Sequence, residues 1–223
     1  MISVAIDGPA GAGKSSISKA VSKQMGYIYV DTGALYRTLA VKFISCGCTP
    51  DNIVNVEETL ASTDVKIAFQ DGEQRMMLDG ADVTDKIRTP EVSMMASAVS
   101  AVPAVRAFLL ETQRKLAREN DVLMDGRDIG TVVLPDATVK IFLTASPEAR
   151  ADRRYKELIE KGMEVNYDEV LADIIKRDHN DSTRAIAPLK PAEDSVYLDT
   201  SNIDFEGSIA AVKDIIENKL KEL

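Results

Sequence analysis

Short apolar runs alternate with longer stretches of helical periodicity along most of this chain. Ile2–Ile6, Tyr27–Asp31, Asp121–Asp125, Val139–Thr144 and Val196–Asp199 are apolar almost throughout, as strands covered on both faces of a parallel sheet are. Helical patterns fill the intervals. Ser16–Met25 places Ile17, Ala20 and Val21 on one face and stops at Gly26, and Ala34–Ile44 stops near Gly47. Ser146-Pro147-Glu148 opens a helix that runs to Gly162, with Ser as cap and Pro in the first turn. Asn166 and Glu169 resemble a capping box for a helix reaching about Asp181. Phe205–Leu220 carries Ile209, Val212, Ile215, Ile216 and Leu220 on one face. The pattern predicts a three-layer α/β fold around a central parallel five-stranded sheet.

One segment departs from it. Val65–Phe69, Asp71-Gly72 and Arg75–Asp79 predict a β-hairpin, which Gly80 and Val83 extend into a small antiparallel sheet. Thr89–Leu116 follows as helix, interrupted at Pro103. Residues 60–99 are therefore expected to be an insertion in the parallel domain.

The 223 residues carry a formal net charge of −9, which argues against binding nucleic-acid polymers or anionic membranes. No apolar run is long enough to span a bilayer and no signal peptide is visible, so a cytoplasmic enzyme is expected, and a monomer, since no apolar patch stands out. Cys46 and Cys48 are expected to be reduced thiols, and with His179 the single histidine no zinc site is expected.

The first strand leads into Gly8-Pro9-Ala10-Gly11-Ala12-Gly13-Lys14-Ser15, a phosphate-loop pattern. The loop ends at a helix N-terminus, where free N–H groups and the macrodipole attract anions. Lys14 would reach the terminal phosphates and the Ser15 hydroxyl would ligate Mg²⁺ brought with ATP. Arginines gather near the carboxyl ends of the strands, where open α/β sheets bind ligands. Arg127 and Asp128 follow the third parallel strand directly. Arg150, Arg153 and Arg154 share one helix, while Arg177, Asp181 and Arg184 share a helix face if that helix persists. Phosphoryl transfer needs such positive groups to clamp spreading negative charge.

Ile6–Ser15, Asp31–Arg37, Asp125–Val133 and Arg177–Leu189 together resemble the bacterial cytidylate kinases of the nucleoside monophosphate kinase family. The resemblance implies a P-loop kinase fold with core residues 1–59, 100–149 and 185–223, a monophosphate-binding insertion at about 60–99, and a helical lid at about 150–184. It implies transfer of the γ-phosphoryl group of ATP to CMP or dCMP. Gly8 to Ser16 would hold ATP, joined by Arg153 and Arg154 from the lid, with Lys14, Arg127, Arg153, Arg154 and Arg177 catalytic. Asp31, Tyr36, Arg37, Ser97, Arg106, Arg127, Asp128, Arg177, Asp181 and Arg184 would form the CMP site. Within it, Ser97, Arg106 and Asp128 would meet the base, and Asp181 the sugar hydroxyl. A carboxylate accepts from the cytosine amino group but repels the uracil carbonyl.

Blander readings stand beside these. Ser97 also suits helix packing, Tyr36 the core, and Asp31 a simple helix cap. His179 reads as solvated, and Met94 and Met95 as packing residues. A related kinase (UMP/CMP, adenylate or shikimate type) remains open, as does a nucleotide switch, although the chain has no guanine-reading Asn-Lys-x-Asp motif.

Overall fold

The computed structural model describes residues 1–70 and 73–222. In chain order the elements are β1 (Ser3–Asp7), α1 (Lys14–Met25), β2 (Ile28–Asp31), α2 (Thr32–Ser45), α3 (Val56–Ala61), β3 (Val65–Gln70), β4 (Glu73–Leu78) and β5 (Ala81–Asp82). After a short 3₁₀ turn come α4 (Pro90–Val99), α5 (Pro103–Glu119), β6 (Val122–Gly126), a π-helical turn (Ile129–Val133) and β7 (Val139–Thr144). The chain closes with α6 (Pro147–Glu160), α7 (Tyr167–Thr183), β8 (Val196–Asp199) and α8 (Phe205–Lys221).

The five parallel strands form the predicted central sheet and stand in the order β2-β6-β1-β7-β8. Alternation along each strand feeds two layers. Val4, Ile6 and Leu123 pack with Ile17, Val21, Ile209, Val212 and Ile216 of α1 and α8. Ala5, Val122 and Met124 turn to the other face, with Val30, Ile129 and Val133. The connection leaving β1 runs through α1 to β2 on one side, and the one leaving the adjacent β7 runs through α6 and α7 to β8 on the other, so the loop after β1 lies at the switch point. Register also matters: Asp31 of β2 pairs with Asp125 of β6, and Asp7 of β1 with Gly126, so carboxylates from three strands end along one sheet edge.

The antiparallel sheet β3-β4-β5 forms as predicted, although the Asp71-Gly72 turn lies outside the described residues. Its Val65, Met76 and Leu78 share one apolar cluster with Leu35, Leu39 and Phe43 of α2, Met95 of α4 and Leu109 of α5.

The helical stretch from residue 89 is interrupted at Pro103 as expected, and three other local expectations need correction. Thr89 caps α4, Val102 is extended as residues before proline prefer, and Pro103 opens α5 at 99° to α4. α7 ends at Thr183, so Arg184 lies past it in an extended conformation rather than on its face. The Asn166 side chain accepts from the N–H groups of Asp168 and Glu169, half of a capping box. Met95 is buried as expected, but Met94 is 60% exposed. Cys46 and Cys48 are both free, and His179 is exposed. Among the described residues no single helix is long and apolar enough to cross a membrane.

Gly8 fixes the exit from β1. Its φ is +153°, and a Cβ there would lie 1.9 Å from the Leu143 carbonyl oxygen of β7. Gly26, φ +72°, faces open space. Gly8→Ala is therefore expected to cost more than ~3 kcal/mol of unfolding free energy, against about 1 kcal/mol for Gly26→Ala. Urea unfolding of the two variants checks this; equal losses would contradict it.

Candidate functional site

A cleft of about 790 Å³ opens at the carboxyl ends of β1, β2 and β6. One wall is the phosphate loop. Gly11 and Gly13 take left-handed φ values of +74° and +86°, and no side chain caps the N-terminus of α1. Its free N–H groups are thus left for an anion. The Lys14 ammonium donates to the Pro9 carbonyl at 2.7 Å and is only 5% exposed. Burial first, and then Arg127, push its pKa down to about 7, although Asp125 and Asp7 oppose the shift.

Behind the loop stand two buried carboxylates. Asp125 accepts from the Ser15 hydroxyl and from the Tyr29 hydroxyl, each at 2.9 Å. Asp7 accepts the N–H groups of Ile129 and Gly130, both at 2.7 Å, which fastens the π-helical turn to β1. Burial raises both carboxyls to about 6 despite these donors, with Asp31 adding to the rise at Asp125.

The opposite wall carries the arginines. Arg37 donates to Asp31 at 2.7 Å, and the same Asp31 caps α2 by accepting from the Ala34 N–H. Arg127 donates to the buried Asp181 at 2.8 Å. Arg106 pairs with Asp128 and lies over the Tyr36 ring, 5.8 Å from its centroid. The Arg184 guanidinium sits 3.5 Å from the other Asp128 oxygen. Burial raises the Asp128 pKa, while Arg106 and Arg184 pull it back. Desolvation in the cleft, then Arg127, Arg37 and Arg154, lower that of Arg177. Ser97 lines the same cavity from α4.

From α6, Arg153 donates to the Thr200 carbonyl, and Arg154 pairs with Glu157 at 2.8 Å; both still line the cleft. Arg150 points the other way. Only 2% exposed, it donates to Ala10 of the loop, Ala145 and Asp178 of α7, and so ties the loop to both helices.

A model of the family described as cytidylate kinase matches residues 4–219. The chain belongs to the cytidylate kinase family. The cytidylate kinase of Caldicellulosiruptor bescii is 50% identical over 220 residues, covering 99% of this chain and 97% of that protein. That of Carboxydothermus hydrogenoformans is 47% identical over 216 residues, with 97% of each covered. In overall shape the chain is similar to a crystal structure of an uncharacterized protein from Eubacterium ventriosum, with a TM-score of 0.55 at 11% identity over 97% of this chain and 99% of that one. At that identity the likeness concerns the fold alone.

The cleft of this cytidylate kinase family member brings together nearly every residue singled out in the sequence. The exceptions are Gly8 and Ala12, which pack inside the loop, and Pro9, which faces a smaller cavity behind it. Sequence reasoning missed Asp125 as a site residue, although a carboxylate closing a buried apolar strand was a usable signal. It missed Tyr29 and the rim residues Ile203, Asp204 and Phe205, whose types read as core or surface, and it placed Arg150 with the cleft arginines although that side chain lies behind the loop.

At about pH 7.5, a Lys14 pKa of about 7 leaves most of the amine neutral. A polyphosphate on the loop favours the ammonium, so binding should take up protons and weaken as pH rises. Calorimetry with tripolyphosphate in two buffers of different ionisation enthalpy measures this; no buffer dependence would contradict it.

Proposed function

We propose that this chain transfers the γ-phosphoryl group of ATP to CMP or dCMP, giving ADP and CDP or dCDP. The observation that carries this reading is the buried Arg106–Asp128 pair opening onto the cleft that holds the phosphate loop. The pair offers a donor beside an acceptor. Cytosine presents the complement, O2 and N3 as acceptors beside its amino donor. Uracil reverses two of the three groups, which would leave buried polar atoms unpaired.

The remaining roles follow from position. Gly8 to Ser16 wrap the donor phosphates, and Lys14 meets the terminal ones. Arg37, Arg127 and Arg177 hold the acceptor phosphate near Tyr36, and Asp181 takes the sugar hydroxyl while orienting Arg127. Arg184 backs Asp128. Residues 150–184 act as the lid, excluding water and carrying Arg153 and Arg154 onto the donor. An acceptor phosphate oxygen attacks the γ-phosphorus in line, a new P–O bond forms as the bond to the leaving ADP breaks, and no covalent enzyme intermediate is required.

Mg²⁺ fits the residues present. The Ser15 hydroxyl and Asp125 carboxylate form a hard oxygen donor set beside the loop. Among the described residues no group of three His, Cys, Asp or Glu could hold a metal, as suits an ion that relies on nucleotide phosphates for most of its ligands. Ser15 and Asp125 would hold it. When bound, it neutralises charge on the donor phosphates.

Asp128→Asn tests base reading. It should lower kcat/KM for CMP about 10–100-fold and collapse the preference over UMP, with ATP binding intact. An unchanged CMP-to-UMP ratio would sink the base-reading role.

A further inference from the structure

We propose that Tyr29 is a positioning residue for the Asp125 carboxylate, fixing the orientation in which it serves the cation that accompanies the nucleotide. This rests on the reading of Ser15 and Asp125 given above. Asp125 is 4% exposed, and each of its oxygens has one hydroxyl donor, Ser15 at Oδ2 and Tyr29 at Oδ1. The two donors come from different elements, α1 and β2, and grip opposite sides of the group.

Tyr29 is built for this. It pairs in register with Leu123, two residues before Asp125, and its ring packs against the apolar layer of β1, α1 and α8. The ring is thus held by packing while the hydroxyl reaches the strand end, the usual arrangement of a partly buried tyrosine with one polar partner. Phenylalanine would fill the same apolar space, so core packing alone does not call for the hydroxyl. Its work is to hold Oδ1 so that Oδ2 stays turned toward Ser15.

Outer partners of metal-ligating groups change metal affinity by about 10–100-fold when removed. Mn²⁺ retention by the enzyme–ADP complex can be titrated by electron paramagnetic resonance. Tyr29→Phe should weaken Mn²⁺ about tenfold while metal-free ADP binding stays within about twofold. Asp125→Asn should weaken Mn²⁺ at least as much, and Tyr29→Phe should add nothing in that background. If Asp125→Asn weakens Mn²⁺ but Tyr29→Phe does not, the tyrosine has no positioning role. If Tyr29→Phe impairs metal-free ADP binding equally, it serves the loop instead. If neither variant alters Mn²⁺, the assignment of the cation to Ser15 and Asp125 falls as well.

Discussion

Everything at the site depends on how the chain leaves β1. Gly8 passes so close to the Leu143 carbonyl that no side chain fits, and that contact turns the loop over the end of the sheet. With the loop so aimed, Gly11 and Gly13 bend it, α1 begins with its N–H groups free, and Lys14 and Ser15 land beside Asp125. Strand order completes the arrangement. β1 lies between β6 and β7, and β2 lies beside β6, so Asp7, Asp125 and Asp31 converge although they are far apart in sequence.

The second constraint is electrostatic. Lys14, Arg106, Asp7, Asp125 and Asp128 are all nearly buried, and removing such charges from water is costly unless they find partners. They find them in each other. Burial pushes the lysine down to about 7 and the carboxyls up to about 6, so desolvation is the dominant force on the charges at this end of the sheet. Arginines paired with Asp31, Asp181 and Asp128 are held in place at the same time.

Much of this was legible in the sequence, for physical reasons. The phosphate loop announces itself because its glycines, lysine and serine must occur at fixed spacing. The strands show because both sheet faces are covered, which forces continuous apolar runs such as Val139–Thr144. Asp128 showed as a strand-end residue, but Arg106 and the base-reading role of Asp128 came from family resemblance, since nothing local predicts that residues 22 apart in sequence form a pair. Arg150 was grouped with the cleft arginines, yet it is buried behind the loop, because helical spacing gives a direction around the axis but not what lies there. Tyr29 was invisible for a related reason: a tyrosine in an apolar strand looks like core until its hydroxyl partner is known. The break between α4 and α5 was legible because Pro103 cannot continue a helix, whereas its part in opening the second helix was not.

The central claim is that this cleft phosphorylates a cytosine nucleotide. The most direct measurement is ADP formation from Mg²⁺ and ATP with CMP, dCMP, UMP, AMP, GMP and shikimate as acceptors, followed in a coupled assay. The account predicts fast turnover confined to CMP and dCMP. Equal turnover of UMP, or turnover of none of them, would contradict it.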